Sequence, residues 1–90
     1  MKNMLRECSM DALITSYKLA KDYRMNCLDR MIKLRERIAR LEIEFNDCNN
    51  NMREIHERIT KCENQFNRLA KEVSELTDMI LDIKHEILTR

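Results

Sequence analysis

Apolar residues recur along this chain at alternating steps of three and four residues from Met10 to Arg90. In each heptad, lettered a to g, the two recurring apolar residues occupy positions a and d, with Met10 as the first a. Every a and d position in this range is apolar except Arg24 and Arg90. A repeat sustained far beyond three or four heptads predicts an α-helical coiled coil with a narrow apolar seam.

The seam also supplies the candidate interface, because apolar a and d side chains are the ones that pack between coiled-coil helices. The residues that we assign to an interface between chains are Leu13, Tyr17, Met31, Leu34, Ile38, Leu41, Phe45, Cys48, Met52, Ile55, Ile59, Cys62, Phe66, Leu69, Val73, Leu76, Ile80, Ile83 and Ile87.

Composition supports an all-α fold. The 90 residues include no glycine and no proline, which supply the backbone angles that most tight turns need. Charged residues make up 37% and aromatic residues 4% of the chain. This balance suits a water-exposed helix with one apolar stripe, and a lone helix of this kind needs partners to be stable.

Two arrangements of the coiled coil are open. The first is one continuous helix over residues 10–90, preceded by a short extension of residues 1–9 in which Ser9 is a candidate N-cap. The second is a helical hairpin that bends at 46–51, where four asparagines and an aspartate are poor helix formers. Phe45 and Met52 keep the heptad phase across this soft point, so the sequence favours the continuous helix.

Charges beside the seam predict antiparallel contact. With the overlap centred near residue 50, Arg30 meets Glu72 and Cys27 faces Val73, whereas parallel pairing places Arg30 against Arg35. We therefore expect an antiparallel dimer, and a hairpin would make the same pairings within one chain. Additional apolar residues near both ends would widen the apolar face enough for a four-helix bundle: Ile14, Leu19, Met25, Leu28, Ile32, Met79, Leu81 and Leu88.

Candidate chemistry is sparse. Cys27, Cys48 and Cys62 all occupy position d, where free cysteine behaves as a small buried apolar residue. His56 and His85 lack a partner at metal-ligand spacing, and we expect both to be solvated. The sequence therefore predicts no enzyme, no cofactor, no metal site and no small-molecule substrate.

A basic cluster, formed by Arg30, Lys33, Arg35, Arg37 and Arg40, could contact an acidic partner or a phosphate backbone. Glutamates alternate with these residues and the net charge of the chain is only +1. The cluster is therefore predicted to be a solvated face, and nucleic-acid binding is not expected.

The function that this pattern favours is that of a structural or assembly protein, which acts by coiled-coil self-association as a spacer or scaffold. Two alternatives remain: an adaptor that binds a different helical protein, and an oligomerisation segment of a larger protein. The expected partners are further copies of the chain or another helical protein. No segment predicts membrane insertion or a signal peptide, so the expected location is intracellular, in the cytoplasm or nucleus.

Overall fold

Two long antiparallel helices form the protein. The computed structural model describes the backbone of residues 2–47 and 51–90 and the side chains from residue 5 onward within those ranges. A short helix α1 (Lys2–Glu7) precedes α2 (Met10–Asp47) and α3 (Met52–Leu88). Helices α2 and α3 pack against each other in a hairpin that measures 62 × 18 × 14 Å. The prediction of an all-α coiled-coil fold is confirmed, in the hairpin arrangement.

Helix α2 begins where the N-cap was predicted. The Ser9 hydroxyl oxygen accepts a hydrogen bond from the Ala12 amide at 3.1 Å, and the Ser9 carbonyl accepts one from the Leu13 amide at 3.0 Å. Asp11 lies in the first turn, where its charge favours the positive end of the helix dipole. The serine thereby satisfies an amide that the helix itself leaves without a partner.

The continuous helix that the sequence favoured is not the arrangement that the structure has. Helix α2 ends at Asp47, and α3 begins at Met52 directly after Asn51, whose φ is 67° and ψ 18°. That left-handed conformation cannot continue a right-handed helix, and asparagine tolerates it better than most non-glycine residues. Residues 48–50, and with them Cys48 of the candidate interface, lie outside the described residues.

Heptad phase does not distinguish the two arrangements, and this is why the sequence pointed the wrong way at this segment. Each helix of a hairpin turns its own seam inward independently of the other. A connection that happens to preserve phase is therefore as compatible with the hairpin as one that breaks it. The hairpin also lets the second half of the chain cover the first, so the apolar seam is partnered within one molecule.

The extension predicted for residues 1–9 contains helix α1, which packs on α3. The Arg90 guanidinium donates hydrogen bonds to the carbonyls of Leu5 and Arg6, both at 3.0 Å. These carbonyls lie in the last turn of α1, where backbone acceptors lack partners within the helix and a cation is favourable. Arg90 thus ties α1 to the end of the hairpin that is opposite the chain reversal.

Candidate interaction surfaces

Buried residues lie along the seam between α2 and α3 toward both of its ends. Leu41, Ile55, Ile59 and Cys62 form one buried cluster toward the chain reversal. Three half-buried residues pack against this cluster: Leu34, Ile38 and Phe45. Toward the opposite end the buried residues are Leu13, Ala20, Cys27 and Ile83.

The structure places most of the candidate interface residues between α2 and α3 of one chain. Six are buried: Leu13, Leu41, Ile55, Ile59, Cys62 and Ile83. Eleven are half-buried: Tyr17, Met31, Leu34, Ile38, Phe45, Phe66, Leu69, Val73, Leu76, Ile80 and Ile87. Met52 is 44% exposed. Their assignment to an interface between separate chains stays a prediction.

The candidate interface left out two residues that the structure buries. Ala20 is 8% and Cys27 is 3% exposed. Both occupy position d of the heptad. A d position is enough to bring even a small residue into the interior.

Contacts across the hairpin agree with the predicted antiparallel register. Cys27, predicted to face Val73, contacts the adjacent residue Glu72 through Sγ, at 3.6 Å from a carboxylate oxygen. Arg24 reaches Thr77, 53 residues along the chain, at 2.9 Å. The ring of Phe45 lies 6.4 Å from that of His56, on the opposite helix. The antiparallel contact predicted between chains is therefore made by the two halves of one chain, although the individual side-chain pairs differ from the predicted ones.

A small polar cluster crosses the seam at Glu72. Its carboxylate accepts hydrogen bonds from the Tyr23 hydroxyl at 3.4 Å and from the Cys27 thiol. Burial, and then the bond to Glu72, raise the pKa of Cys27, so this thiol remains protonated near neutral pH. The charge of Glu72 likewise raises the pKa of the Tyr23 phenol. Cys27 is therefore a buried donor and not a reactive thiolate.

Arg24 is the one charged residue at an a or d position before Arg90. Its guanidinium has a hydrogen-bond partner on the opposite helix. Its Nε donates to the Thr77 hydroxyl at 2.9 Å, and that hydroxyl donates to the Val73 carbonyl at 2.8 Å. Arg24 and Thr77 are both half-buried, and a shift of one heptad would place Ala70 or Lys84 opposite Arg24 in place of Thr77. The hydrogen bond between Arg24 and Thr77 therefore favours this register over neighbouring ones.

The ion pairs of the described residues lie within the second half of the chain, between residues four apart. Examples are Arg58 with Glu54 at 2.9 Å and Arg53 with Glu57 at 3.7 Å. Pairs at this spacing on an exposed helix contribute a few tenths of a kcal/mol each. Arg30 and Glu72, which were predicted to pair, line the same groove but do not form an ion pair with each other.

One side of the hairpin, which we call the open face, leaves apolar residues uncovered. It carries the a residues, which are mostly half-buried, together with positions e and b beside them. Its large exposed members are Ile14, Met25, Ile32, Leu81 and Leu88, between 38% and 73% exposed. A shallow groove on this side brings Arg35, Ala39 and Glu42 of α2 together with Phe66 of α3. Contiguous exposed apolar patches mark interaction surfaces, whereas single exposed apolar residues are ordinary.

The other side of the hairpin carries a groove of about 680 Å³, which we call the basic groove. Its cationic lining comes from both helices: Arg30, Lys33, Arg37 and Arg40 of α2, and Arg68 of α3. Two carboxylates, Glu36 and Glu72, also line it, and Leu34 and Leu69 are its apolar members. Four residues of the predicted basic cluster therefore meet here, and Arg35 lies on the open face instead.

Among the described residues, no group of three or more His, Cys, Asp or Glu side chains could hold a metal ion. His56 and His85 are exposed, as expected. In the same described part of the chain, no helix has the length and apolar character to cross a membrane.

Comparison with protein-family models, with curated proteins and with solved structures finds no match to this chain.

Proposed function

We propose that this chain is an assembly protein, a preformed helical hairpin that pairs with a second copy through the open face to make a four-helix bundle. The proposal rests on one observation. Ile14, Met25, Ile32, Leu81 and Leu88 stay exposed on the side where the a residues are only half-buried. A second hairpin laid on this side would cover both sets of residues at once.

The gain and the cost of association through the open face are closely balanced. Burying the exposed part of one Leu, Ile or Met side chain contributes on the order of 1 kcal/mol. Two copies bring ten such side chains to the contact, and the half-buried a residues add to them. The gross gain is therefore similar to the roughly 4–15 kcal/mol that association costs in lost freedom. A balance this close makes the assembly sensitive to single substitutions on the open face.

In such a bundle the protein would act as a rod-like spacer or scaffold. Each hairpin is 62 Å long, and two hairpins side by side would give a four-helix rod of similar length. The ends of the rod and the basic groove on the far side of each hairpin would remain available to other molecules.

Ile32 and Ile43 provide a matched test. They are 58% and 62% exposed, and both lie within α2, but Ile32 is on the open face and Ile43 occupies the outermost position f. We expect the wild type and Ile43→Asp to sediment as dimers over the same concentration range. Ile32→Asp should shift toward the monomer by about tenfold or more in dissociation constant, because it places a charge within an apolar contact.

Two results would count against this function. Equal effects of the two substitutions would show that the open face is not the contact. A wild-type chain that stays monomeric at high concentration would overturn self-assembly and favour the adaptor alternative, in which the open face receives a helix of another protein.

A further inference from the structure

We propose that the basic groove is a docking site for an acidic amphipathic helix of a partner protein. It lies on the side of the hairpin away from the open face, so the proposal is independent of self-association. The occupant is identified by the charge, the lining and the shape of the groove.

The charge of the groove is strongly one-sided. Five cationic residues line it against two carboxylates, although the whole chain has a net charge of only +1. Within the described part of the chain, none of the five forms an ion pair. Glu72, one of the two carboxylates of the groove, accepts hydrogen bonds from Tyr23 and Cys27. Like charges concentrated in this way favour an acidic ligand.

The apolar lining indicates a helix as the ligand. Leu34 and Leu69 are half-buried d residues of the seam, and they remain partly open to the groove. Arg30 and Arg37 are one heptad apart on α2, or roughly 10 Å. A third helix could place apolar side chains over the two leucines and acidic side chains one heptad apart beside the two arginines. This is the helix-in-groove mode of recognition, with flanking charges that set the choice of partner.

Two other occupants fit the groove less well. Glu36 and Glu72 would repel the continuous negative charge of a nucleic-acid backbone, whereas a helix can place polar or basic residues opposite them. A second copy of this chain would have to present its acidic residues. Those acidic residues are interspersed with lysines and arginines, in keeping with the net charge of only +1, so a second copy offers no strongly acidic helix face.

The test uses a defined peptide about three heptads long, with leucine at its seam positions and glutamate at the flanking positions. Its glutamates repel one another, so the peptide alone is a poor coiled coil and should gain helix on binding. A control peptide carries lysine in place of each glutamate. We expect the acidic peptide to bind in calorimetry with an affinity that falls as salt rises, and the lysine peptide not to bind.

Matched variants locate the site. Arg37→Glu/Arg68→Glu reverses one charge on each wall of the groove, and we expect it to weaken binding about tenfold or more. Arg35→Glu/Arg53→Glu makes the same charge change on the same two helices away from the groove, and should stay within about threefold of the wild type. All four arginines are exposed, and circular dichroism would verify that both variants keep their helix content. The neutral pair Arg37→Gln/Arg68→Gln should show a smaller loss in the same direction.

Four results would overturn the proposal. Equal losses in the two charge-reversed variants would indicate non-specific attraction, and equal binding of the lysine peptide would indicate apolar contact alone. Binding of duplex RNA, lost only in the groove variant while the acidic peptide fails to bind, would make this a nucleic-acid site. Self-association lost in the groove variant and kept in Ile32→Asp would assign the groove, and not the open face, to a second copy.

Discussion

Leu13, Leu41 and Ile83 are nearly inaccessible, whereas Tyr17 and Ile80, on the same seam, are half-buried. The difference follows the heptad, since every buried residue except Ile59 occupies position d. The contact between α2 and α3 is therefore displaced toward the d side of each helix. The a residues, with their apolar neighbours at e and b, are left for the open face.

Substitutions at Leu41 and Met52 test this difference in burial between positions d and a. Both are seam residues by sequence, but Leu41 is 7% and Met52 is 44% exposed. We expect Leu41→Ala to lower the free energy of unfolding by about 2–5 kcal/mol, because it leaves a cavity in the buried cluster. Met52→Ala should cost less than about 1 kcal/mol, since much of its surface is already in water. Urea denaturation would measure both, and equal costs would contradict the burial pattern.

Cys27 and Glu72 show which properties of the seam can be predicted from the sequence and which cannot. Cys27 was correctly predicted to be buried, because its d position determines which way the side chain points. The hydrogen bond to Glu72 was not predicted, because the alignment of charges paired Glu72 with Arg30. Interactions of long side chains depend on rotamers and on small axial shifts, which the heptad does not specify.

At the scale of the element, the heptad pattern accounts for each helix. It does not specify where the chain reverses. Helices α2 and α3 are 38 and 37 residues long, each consistent with an apolar stripe that faces the other. Continuity of the heptad through 46–51 obscured the break between them. Asparagine at four of six positions was the correct indication, since Asn51, directly before α3, adopts a left-handed conformation that a right-handed helix cannot include.

Asn51 and Asn46 make the reversal testable. Asn51 has a φ of 67°, whereas Asn46 lies within α2. At Asn51, a change to Val should cost about 1–2 kcal/mol through its Cβ substituents, and a change to Gly should be neutral or stabilising. At Asn46 the order should reverse, with Val nearly neutral and Gly costing up to about 0.5 kcal/mol. Thermal or urea unfolding of the four variants would show this crossover, and the same order at both positions would argue against a turn at Asn51.

At the scale of the whole molecule, the two sides of the hairpin differ in chemistry, although one heptad pattern gives rise to both. The open face collects apolar residues, and the basic groove collects cations from both helices. Arg68 could not be assigned to the groove from the sequence, because it joins Arg30, Lys33, Arg37 and Arg40 only when α3 folds back on α2. Arg35 is separated from the same cluster because it points to the other side. The composition of a surface to which both helices contribute depends on how the helices pack, so the heptad pattern alone predicts only part of it.

The hairpin itself can be distinguished from a continuous helix by one intramolecular distance. Asp22 and Asp78 are both exposed, lie at outermost f positions and face away from the seam at the same level of the hairpin. Spectroscopic labels attached there through unnatural amino acids should lie about 20–30 Å apart, since packed helix axes are separated by roughly 8–10 Å. In one continuous helix the same sites would be roughly 84 Å apart.

Dilution of the doubly labelled chain with unlabelled protein removes distances between different copies, so that only the distance within one molecule is measured. A second pair, at Asp22 and Glu36, lies within α2 and should give roughly 21 Å in either arrangement, which verifies the labels and the helix. A long distance between Asp22 and Asp78, with the control pair unchanged, would replace the hairpin by an extended helix that pairs between chains. The short distance is expected because a partner half tethered within the same chain acts at a high effective concentration, so that the seam closes before a second molecule arrives.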